Sequence, residues 1–308
     1  MNKPKLSIGL PVYNGENFLV AAIESVLNQD YDDFELIISD NASQDGTQAI
    51  CQRYVANDQR VRYYRCETNN GGAWNYNRVF ELAGGKYFKW QAHDDLCLPG
   101  FFRRCVELFE QAPPSVVVVY PRTEVIDENG KLIATYHPES LETKAALPHH
   151  RLAYVLRSMS MVCAQFGLIR ADALRKTRLF DRMIAADFVL MAELAMLGEF
   201  WEVPETLFQR RVHPGVSTKA NRGVSQLLQW WDPSKKTYNS FVSPMMRLGW
   251  EYLRSIRRMP LKRSERLFCY ATALTVWYVR ELRNLGGRYK RRLFNRGGAP
   301  VPEKPAAD

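Results

Sequence analysis

Six cysteines in 308 residues, none of them in a Cys-x-x-Cys pair, leave no material for a zinc ribbon or a disulfide framework. Cys51, Cys66, Cys97, Cys105, Cys163 and Cys269 are scattered, the usage of a reducing compartment with buried or free thiols. The longest uncharged run, Leu267–Val279, has 13 residues and contains two threonines, short of the roughly 20 apolar residues a transmembrane helix needs. Leu6–Gly15 contains no Gly-rich phosphate loop, which counts against a sugar-phosphate nucleotidyltransferase holding a triphosphate at its first strand. No internal repeat is visible. Met1-Asn-Lys-Pro-Lys runs straight into an apolar strand, so no signal peptide is expected.

What is present fits a soluble globular chain of one large domain or one domain with an appendage: 46% hydrophobic and 24% charged residues. The net charge of +9 is unevenly placed. Arg247 to Arg296 holds 14 Lys and Arg against 3 Glu, a net +11, which leaves −2 for everything else. A nucleic-acid enzyme more often spreads positive charge around its cleft. A basic appendage on a near-neutral domain suits an anionic membrane surface at least as well.

Strands and helices alternate through the first hundred residues. Leu6–Val12, Phe34–Ser39, Val61–Cys66 and Lys86–Gln91 read as strands. Glu16–Gln29, Thr47 to about Ala56, Trp74–Leu82 and Phe101–Ala112 carry helical spacing. Such alternation predicts a parallel sheet with helices on its faces. Tyr13-Asn14, Asp40 and Asp94-Asp95 each follow a strand directly, so all should converge on one sheet edge, where ligands of open α/β sheets bind. Further on, Ser115–Pro121 reads as a strand and Thr123–Asp127 and Lys131–Tyr136 as a hairpin about Glu128-Asn-Gly130, which should make the sheet mixed. Val162–Ile169, Phe200–Val203 and Leu207–Val212 read as strands; Ala145–Met159, Arg170–Thr177 and Asp187–Leu197 as helices. Leu227–Trp231, Met245–Ile256 and Arg266–Leu285 are expected as C-terminal helices. These are either a helical cap or a peripheral membrane contact, with Trp230, Trp231, Trp250, Trp277 and Tyr278 beside Arg254, Arg257, Arg258, Arg280 and Arg283. The expected organisation is a domain over 1–222, a basic helical extension over 223–296 and a disordered Pro/Ala-rich tail over 297–308.

The chemistry gathers in Gly85–Gly100, a strand that runs into two adjacent carboxylates and then a proline-opened helix. Neighbouring carboxylates repel unless a proton or cation sits between them. Mg²⁺ and Mn²⁺ prefer oxygen ligands and often bridge to substrate phosphate. A solvated Asp-Asp turn capping the next helix is the plain alternative.

Five motifs in order, Pro11-Val-Tyr-Asn-Gly-Glu, Asp40-Asn-Ala-Ser-Gln-Asp-Gly-Thr, Asn70-Gly, His93-Asp-Asp and Arg211-Val-His-Pro-x-x-Ser, resemble the family 2 glycosyltransferases over roughly Lys5–Ser217. The resemblance implies an α/β, Rossmann-like mixed sheet of GT-A type and metal-assisted, inverting transfer from a nucleoside-diphosphate sugar. It implies donor contacts from Pro11, Tyr13, Asn14, Glu16, Asp40, Asn70, Asp94 and Arg211. Asp95 and His213 would hold Mg²⁺ or Mn²⁺. Asp187 would be the base, with Glu193 in reserve. Glu16 also suits a helix cap. Many relatives carry Asp where this chain has His93. Gln226-Leu-Leu-Gln-Trp230 only loosely echoes the Gln-x-x-Arg-Trp of processive members, so a non-processive enzyme is expected. Its acceptor would be a glycan or lipid-linked hydroxyl in polysaccharide or cell-surface synthesis, in the cytoplasm or on the inner face of the membrane. The rivals are the nucleotidyltransferase and a non-catalytic protein that binds nucleic acid or membrane through its basic tail.

Overall fold

The computed structural model describes residues 3–136, 140–160, 162–216, 223–234 and 244–294. The first half alternates as the spacing predicts: β1 (Leu6–Val12), α1 (Glu16–Leu27), β2 (Phe34–Asp40), α2 (Thr47–Asn57), β3 (Val61–Arg65), α3 (Gly72–Glu81) and β4 (Tyr87–Trp90). Every residue of β1, β2 and β4 is buried, as parallel strands covered on both faces must be. Gly9 lets α3 approach β1, since a Cβ there would stand 2.6 Å from Val79 Cγ2 and 2.7 Å from Phe88 Cζ. The second half continues with β5 (Leu96–Cys97), α4 (Phe101–Gln111), β6 (Val116–Ile126), β7 (Leu132–Tyr136), α5 (Pro148–Ser158), a 3₁₀ turn (Cys163–Phe166), β8 (Leu168–Arg170), α6 (Ala171–Leu174), α7 (Ala186–Leu197), β9 (Glu199–Arg211), α8 (Val224–Trp231), α9 (Pro244–Arg258) and α10 (Arg263–Phe294).

The strands form one mixed sheet in the order β3-β2-β1-β4-β8-β6-β9-β5, with β7 paired to β6. β1, β2, β3 and β4 are mutually parallel, whereas β8 runs antiparallel to both β4 and β6. Val12 pairs with Asp40 and Asp40 with Arg65, so the first two polar strand ends are level at one edge.

Three boundaries differ from the sequence expectation. Ser115–Pro121 and Thr123–Asp127 merge into β6, and Phe200–Val203 and Leu207–Val212 into β9. The two strands pair in parallel, with register shifts around Pro121 and Arg122 where the ladder accommodates a residue with no N–H. Half of Val162–Ile169 is a 3₁₀ turn, and β8 has only three residues. β5 has two residues, too few to show a period of alternation.

The described part of the C-terminal extension shares the main core. Leu248, Tyr252, Ile256, Met259, Cys269 and Ala273 are buried in the same apolar cluster as the sheet. Burying a side chain such as Ile256, fully inaccessible here, contributes about 2 kcal/mol. The helices also correct the expected interfacial set. Trp230, Trp231 and Trp277 are partly buried, and only Trp250 (62% exposed) and Tyr278 (60%) stand out from the surface. The tail 297–308, Ser217 and the side chains of Arg280 and Arg283 lie outside the described residues.

Candidate active site

Two loops at the edge formed by β1 and β2 are laced together by side chains bonding backbone amides. The N–H of Asn14 donates to Ser43 Oγ, that of Gly15 to Thr47 Oγ1 and that of Glu16 to Asp45 Oδ2. In return Gln44 N–H donates to Asn14 Oδ1 and Gly46 N–H to Glu16 Oε2 at 2.7 Å. Asn14 sits at φ 51°, a left-handed conformation asparagine tolerates. Partial burial would raise the Asp45 carboxyl, but the Thr47 hydroxyl and the Glu16 and Thr47 amides outweigh it and hold it low. Short polar side chains bonding nearby backbone are what fix such turns.

Behind these loops lies a cavity of about 490 Å³. Pro11, Tyr13, Asn14, Asp94 and His213 line it, as expected of donor and metal residues. Tyr13 is 38% exposed, so its ring is presented and not packed away.

The acidic loop is positioned by a buried polar chain that the motif does not announce. Lys89, fully buried in β4, donates from Nζ to Gln91 Oε1 at 2.7 Å. Gln91 Nε2 donates to the carbonyls of Ala92 and Asp95 at 3.1 and 2.7 Å, folding the turn. The turn aims the two aspartates differently. Asp94 Oδ2 faces the cavity and accepts from His213 Nε2 at 3.0 Å. Asp95 is 3% exposed and its Oδ1 accepts the Arg211 N–H at 2.8 Å. Burial alone would raise Asp94, but the His213 hydrogen bond and nearby His93 hold it low; burial and the adjacent Asp94 charge push Asp95 up.

Six expected site residues, Glu16, Asp40, Asn70, Asp95, Asp187 and Arg211, do not line the cavity. Asp95, expected as a metal ligand, is turned into the sheet, and Asp94 takes the exposed position. Arg211 does not offer a free fork: Nε donates to Asp94 O, and Nη1 to the carbonyls of Asp127 and Glu128, which ties the acidic loop to the β6–β7 hairpin. Glu16 caps the Gly46 amide at the start of α2. Asn70 is exposed and gives its N–H to Asn41 Oδ1, while Asn69 and Asn41 line the cavity. Asp40 is fully buried; its carboxylate accepts from Ser43 N–H and the Tyr63 hydroxyl and pairs with Arg65 at 3.4 Å.

Asp187 lies in the first turn of α7, partly buried, and is not among the residues that line the cavity. The Tyr76 phenol is pushed up by burial and by the charges of Asp94, Asp95 and Asp187. Burial raises the Asp187 carboxyl; its own amide neighbours and the Arg210 cation oppose the rise. Arg210 projects from the opposite face of β9 to Arg211, and its Nη1 donates to Cys163 Sγ at 3.9 Å. Glu193, the reserve base, is fully buried against Arg178 at 2.9 Å and has no access to a substrate.

The donor set fits a divalent cation shared with a phosphate. A carboxylate oxygen and an imidazole nitrogen meet at the cavity wall, and among the described residues no three His, Cys, Asp or Glu form a closed cage. Gly215 N–H donates to His213 Nδ1 at 3.2 Å, which leaves the ring proton on Nε2. A cation on Nε2 would require the ring proton to sit on Nδ1 instead, where the Gly215 N–H now donates.

The sequence missed Tyr76 and Trp230 in the cavity wall. Trp230 packs on Gly72, where a Cβ would lie 2.7 Å from its ring. Gly71-Gly72 was the visible sign of that close approach.

A model of the family described as glycosyl transferase family 2 matches residues 7–178. An uncharacterised glycosyltransferase of Rickettsia typhi is 29% identical over 229 residues, 74% of this chain and 69% of its own length. Among solved structures, S. aureus TarS 1-349 in complex with UDP-GlcNAc superposes with a TM-score of 0.63 and 15% identity, over 89% of this chain and 73% of that one. The mannosyltransferase PcManGT from Pyrobaculum calidifontis, in complex with GDP-Man and Mn²⁺, gives 0.53 and 14%, over 92% and 88%. At such identities the two structures establish the fold alone, a helix-flanked mixed sheet of GT-A type.

Proposed function

This chain belongs to glycosyl transferase family 2, and from that premise we propose that it moves one sugar from a nucleoside diphosphate to an acceptor hydroxyl with inversion. The observation that carries the proposal is the Asp94–His213 pair on the wall of a cavity presenting Tyr13. Tyr13 offers a flat face to the base, and the Asn14, Asn41 and Asn69 amides offer polar groups to ribose and phosphate. Asp94 and His213 would hold Mg²⁺ or Mn²⁺, which when bound neutralises charge on the departing diphosphate. Asp187 takes the proton of the incoming hydroxyl as its oxygen bonds to the anomeric carbon; the old carbon–oxygen bond breaks and its electron pair leaves with the nucleoside diphosphate. TarS, bound to UDP-GlcNAc, and the Mn²⁺-bound mannosyltransferase support this class of donor and metal.

The acceptor we propose is a glycan or lipid-linked hydroxyl in polysaccharide or cell-surface synthesis, reached in the cytoplasm or from an anionic membrane surface. No described helix is long and apolar enough to cross a membrane. Supporting peripheral contact, Leu267, Phe268, Trp250 and Tyr278 are 54–68% exposed on helices rich in arginine. Because these helices share the core, a Trp250→Ser/Phe268→Ser double variant tests the contact better than deletion. Unchanged sedimentation with phosphatidylglycerol vesicles would exclude it.

The test of the donor site is a thermal-shift screen across nucleoside diphosphates with and without Mn²⁺. We expect one diphosphate to raise the melting temperature only with metal, and Asp94→Asn to abolish the shift. A shift independent of both Mn²⁺ and Asp94 would overturn the assignment.

A further inference from the structure

The loop that carries Asp187 is closed at both ends by one buried ionic cluster, and the C-terminal helix α9 completes that cluster. Arg178 precedes the loop and Glu193 follows it on α7. Arg178 donates from its backbone N–H to Glu193 Oε2 at 2.8 Å and from Nε to Glu193 Oε1 at 2.9 Å. Its remaining donors reach α9: Nη1 to Glu251 Oε2 at 2.7 Å and Nη2 to Ser255 Oγ at 2.8 Å. Ser255 Oγ in turn donates to Glu193 Oε1 at 2.7 Å. Glu193 and Ser255 are fully buried and Glu251 is 4% exposed. Arg254 Nη1 at the surface shares Glu251 through Oε1 at 2.9 Å, and Asp181 lies 3.4 Å from Arg178 Nη1.

Within the loop the backbone is held out of its ordinary range. Leu179 and Ala185 have φ of 56° and 62°, left-handed values without the freedom of glycine. Such residues persist where surrounding contacts over-determine them. Asn77 supplies one contact, bonding both the N–H and the C=O of Phe180 at 2.9 Å. The ionic cluster supplies the other. A buried ion group is a weak source of stability compared with apolar packing, but it fixes geometry through directed bonds.

We propose that Glu251 and Ser255 are positioning residues for Asp187: through Arg178 and Glu193, the C-terminal helix sets where the base stands relative to the cavity. The proposal rests on Asp187 being the base. It makes α9 part of the catalytic apparatus, with none of its atoms touching substrate. A displacement of about 1 Å at a reacting group can cost about 100-fold in rate, so a loosened cluster acts on turnover before it acts on donor binding.

The test uses the full chain with Glu251→Gln and the milder Ser255→Ala. Two readouts are taken: hydrogen exchange of the 179–187 amides without ligand, and hydrolysis of UDP-GlcNAc with Mn²⁺, water taking the acceptor's place. If the nucleotide screen selects another base, its sugar diphosphate replaces UDP-GlcNAc. Expected are faster exchange confined to 179–187 and a kcat about tenfold lower per donor-binding molecule, with the donor KM unchanged. A residue that merely stabilises the fold would lower the melting temperature and leave kcat per binding-competent molecule intact. Unaltered loop exchange, or kcat within twofold of the parent, in Ser255→Ala and in whichever Glu251 variant folds, overturns the proposal. Asp187→Asn is run alongside. If it retains turnover, the base assignment fails, while the exchange data still decide whether α9 orders the loop.

Discussion

The loops after β1 and β2 and the loop leading into α7 both present candidate chemistry, yet they are held in opposite ways. On the nucleotide side each contact joins a side chain to a backbone amide of the facing loop: Ser43, Asp45 and Thr47 bond amides of residues 14–16, and Asn14 and Glu16 reciprocate. On the base side the contacts join buried charges to one another, from Arg178 to Glu193 and to Glu251. Many small bonds shared among backbone amides degrade gradually when one is removed. A charge cluster sealed from water fails as a unit, because losing one member leaves another charge unpaired.

The first way to break this contrast is to remove one acid from each side. Asp187→Asn should reduce turnover about 10³-fold while leaving the Mn²⁺-dependent nucleotide shift intact. Asp94→Asn should abolish that shift. Nucleotide-dependent melting and turnover measured on the same preparations separate the two, and loss of the shift in Asp187→Asn would mean that the sides are not separate.

A second comparison concerns stability. Glu193→Gln leaves the buried Arg178 cation without its full partner and should cost about 3 kcal/mol in denaturant unfolding. Asp45→Ala removes the acceptor for the Glu16 and Thr47 amides and should cost about 1 kcal/mol. Because Asp45 is held low in the fold, its contribution is present above the ordinary carboxylate range and lost as pH falls through the depressed value. Equal costs at neutral pH would erase the distinction between the regions.

The same contrast explains what could be read from the chain beforehand. Alternating β1 to α4, the Asn129-Gly130 hairpin and the polar strand ends were legible because each is written in local spacing. So were Tyr13, Asn14, Asp94 and His213, which sit in short motifs. The different directions of the Asp94 and Asp95 side chains were not, since they depend on Gln91 turning the loop and on the Arg211 amide claiming Asp95. Nor was the use of Arg211: a guanidinium bonded to three carbonyls, from Asp94, Asp127 and Glu128, has the same sequence signature as one awaiting phosphate. The ionic role of Glu193, expected as a reserve base, and of Glu251 was not legible either, because their shared partner Arg178 lies on another element. The merging of β6 and β9 across Pro121 and Pro204 was hidden for a related reason, as proline is a local stop signal that a shifted ladder can override.

The smallest expected effect concerns pH. Burial raises Asp187, and Arg210 opposes that rise from β9. A base must be deprotonated to work, so activity should fall as pH drops through a value above the ordinary carboxylate range. Arg210→Gln removes the opposing cation and should move this acidic limb upward, while Arg210→Lys should leave it near its original place. The stability effect has the reverse sense. A carboxyl whose pKa is raised by folding stabilises the fold below its unfolded value, and that contribution is lost as pH rises through the folded value. At neutral pH, Asp187→Asn should therefore gain about 1 kcal/mol while losing turnover, because the variant no longer keeps a partly desolvated charge. Urea unfolding of the two proteins at acid and neutral pH reads this directly. A gain that is the same at both would mean that Asp187 is not strained by its burial, and the upward limb would then need another owner.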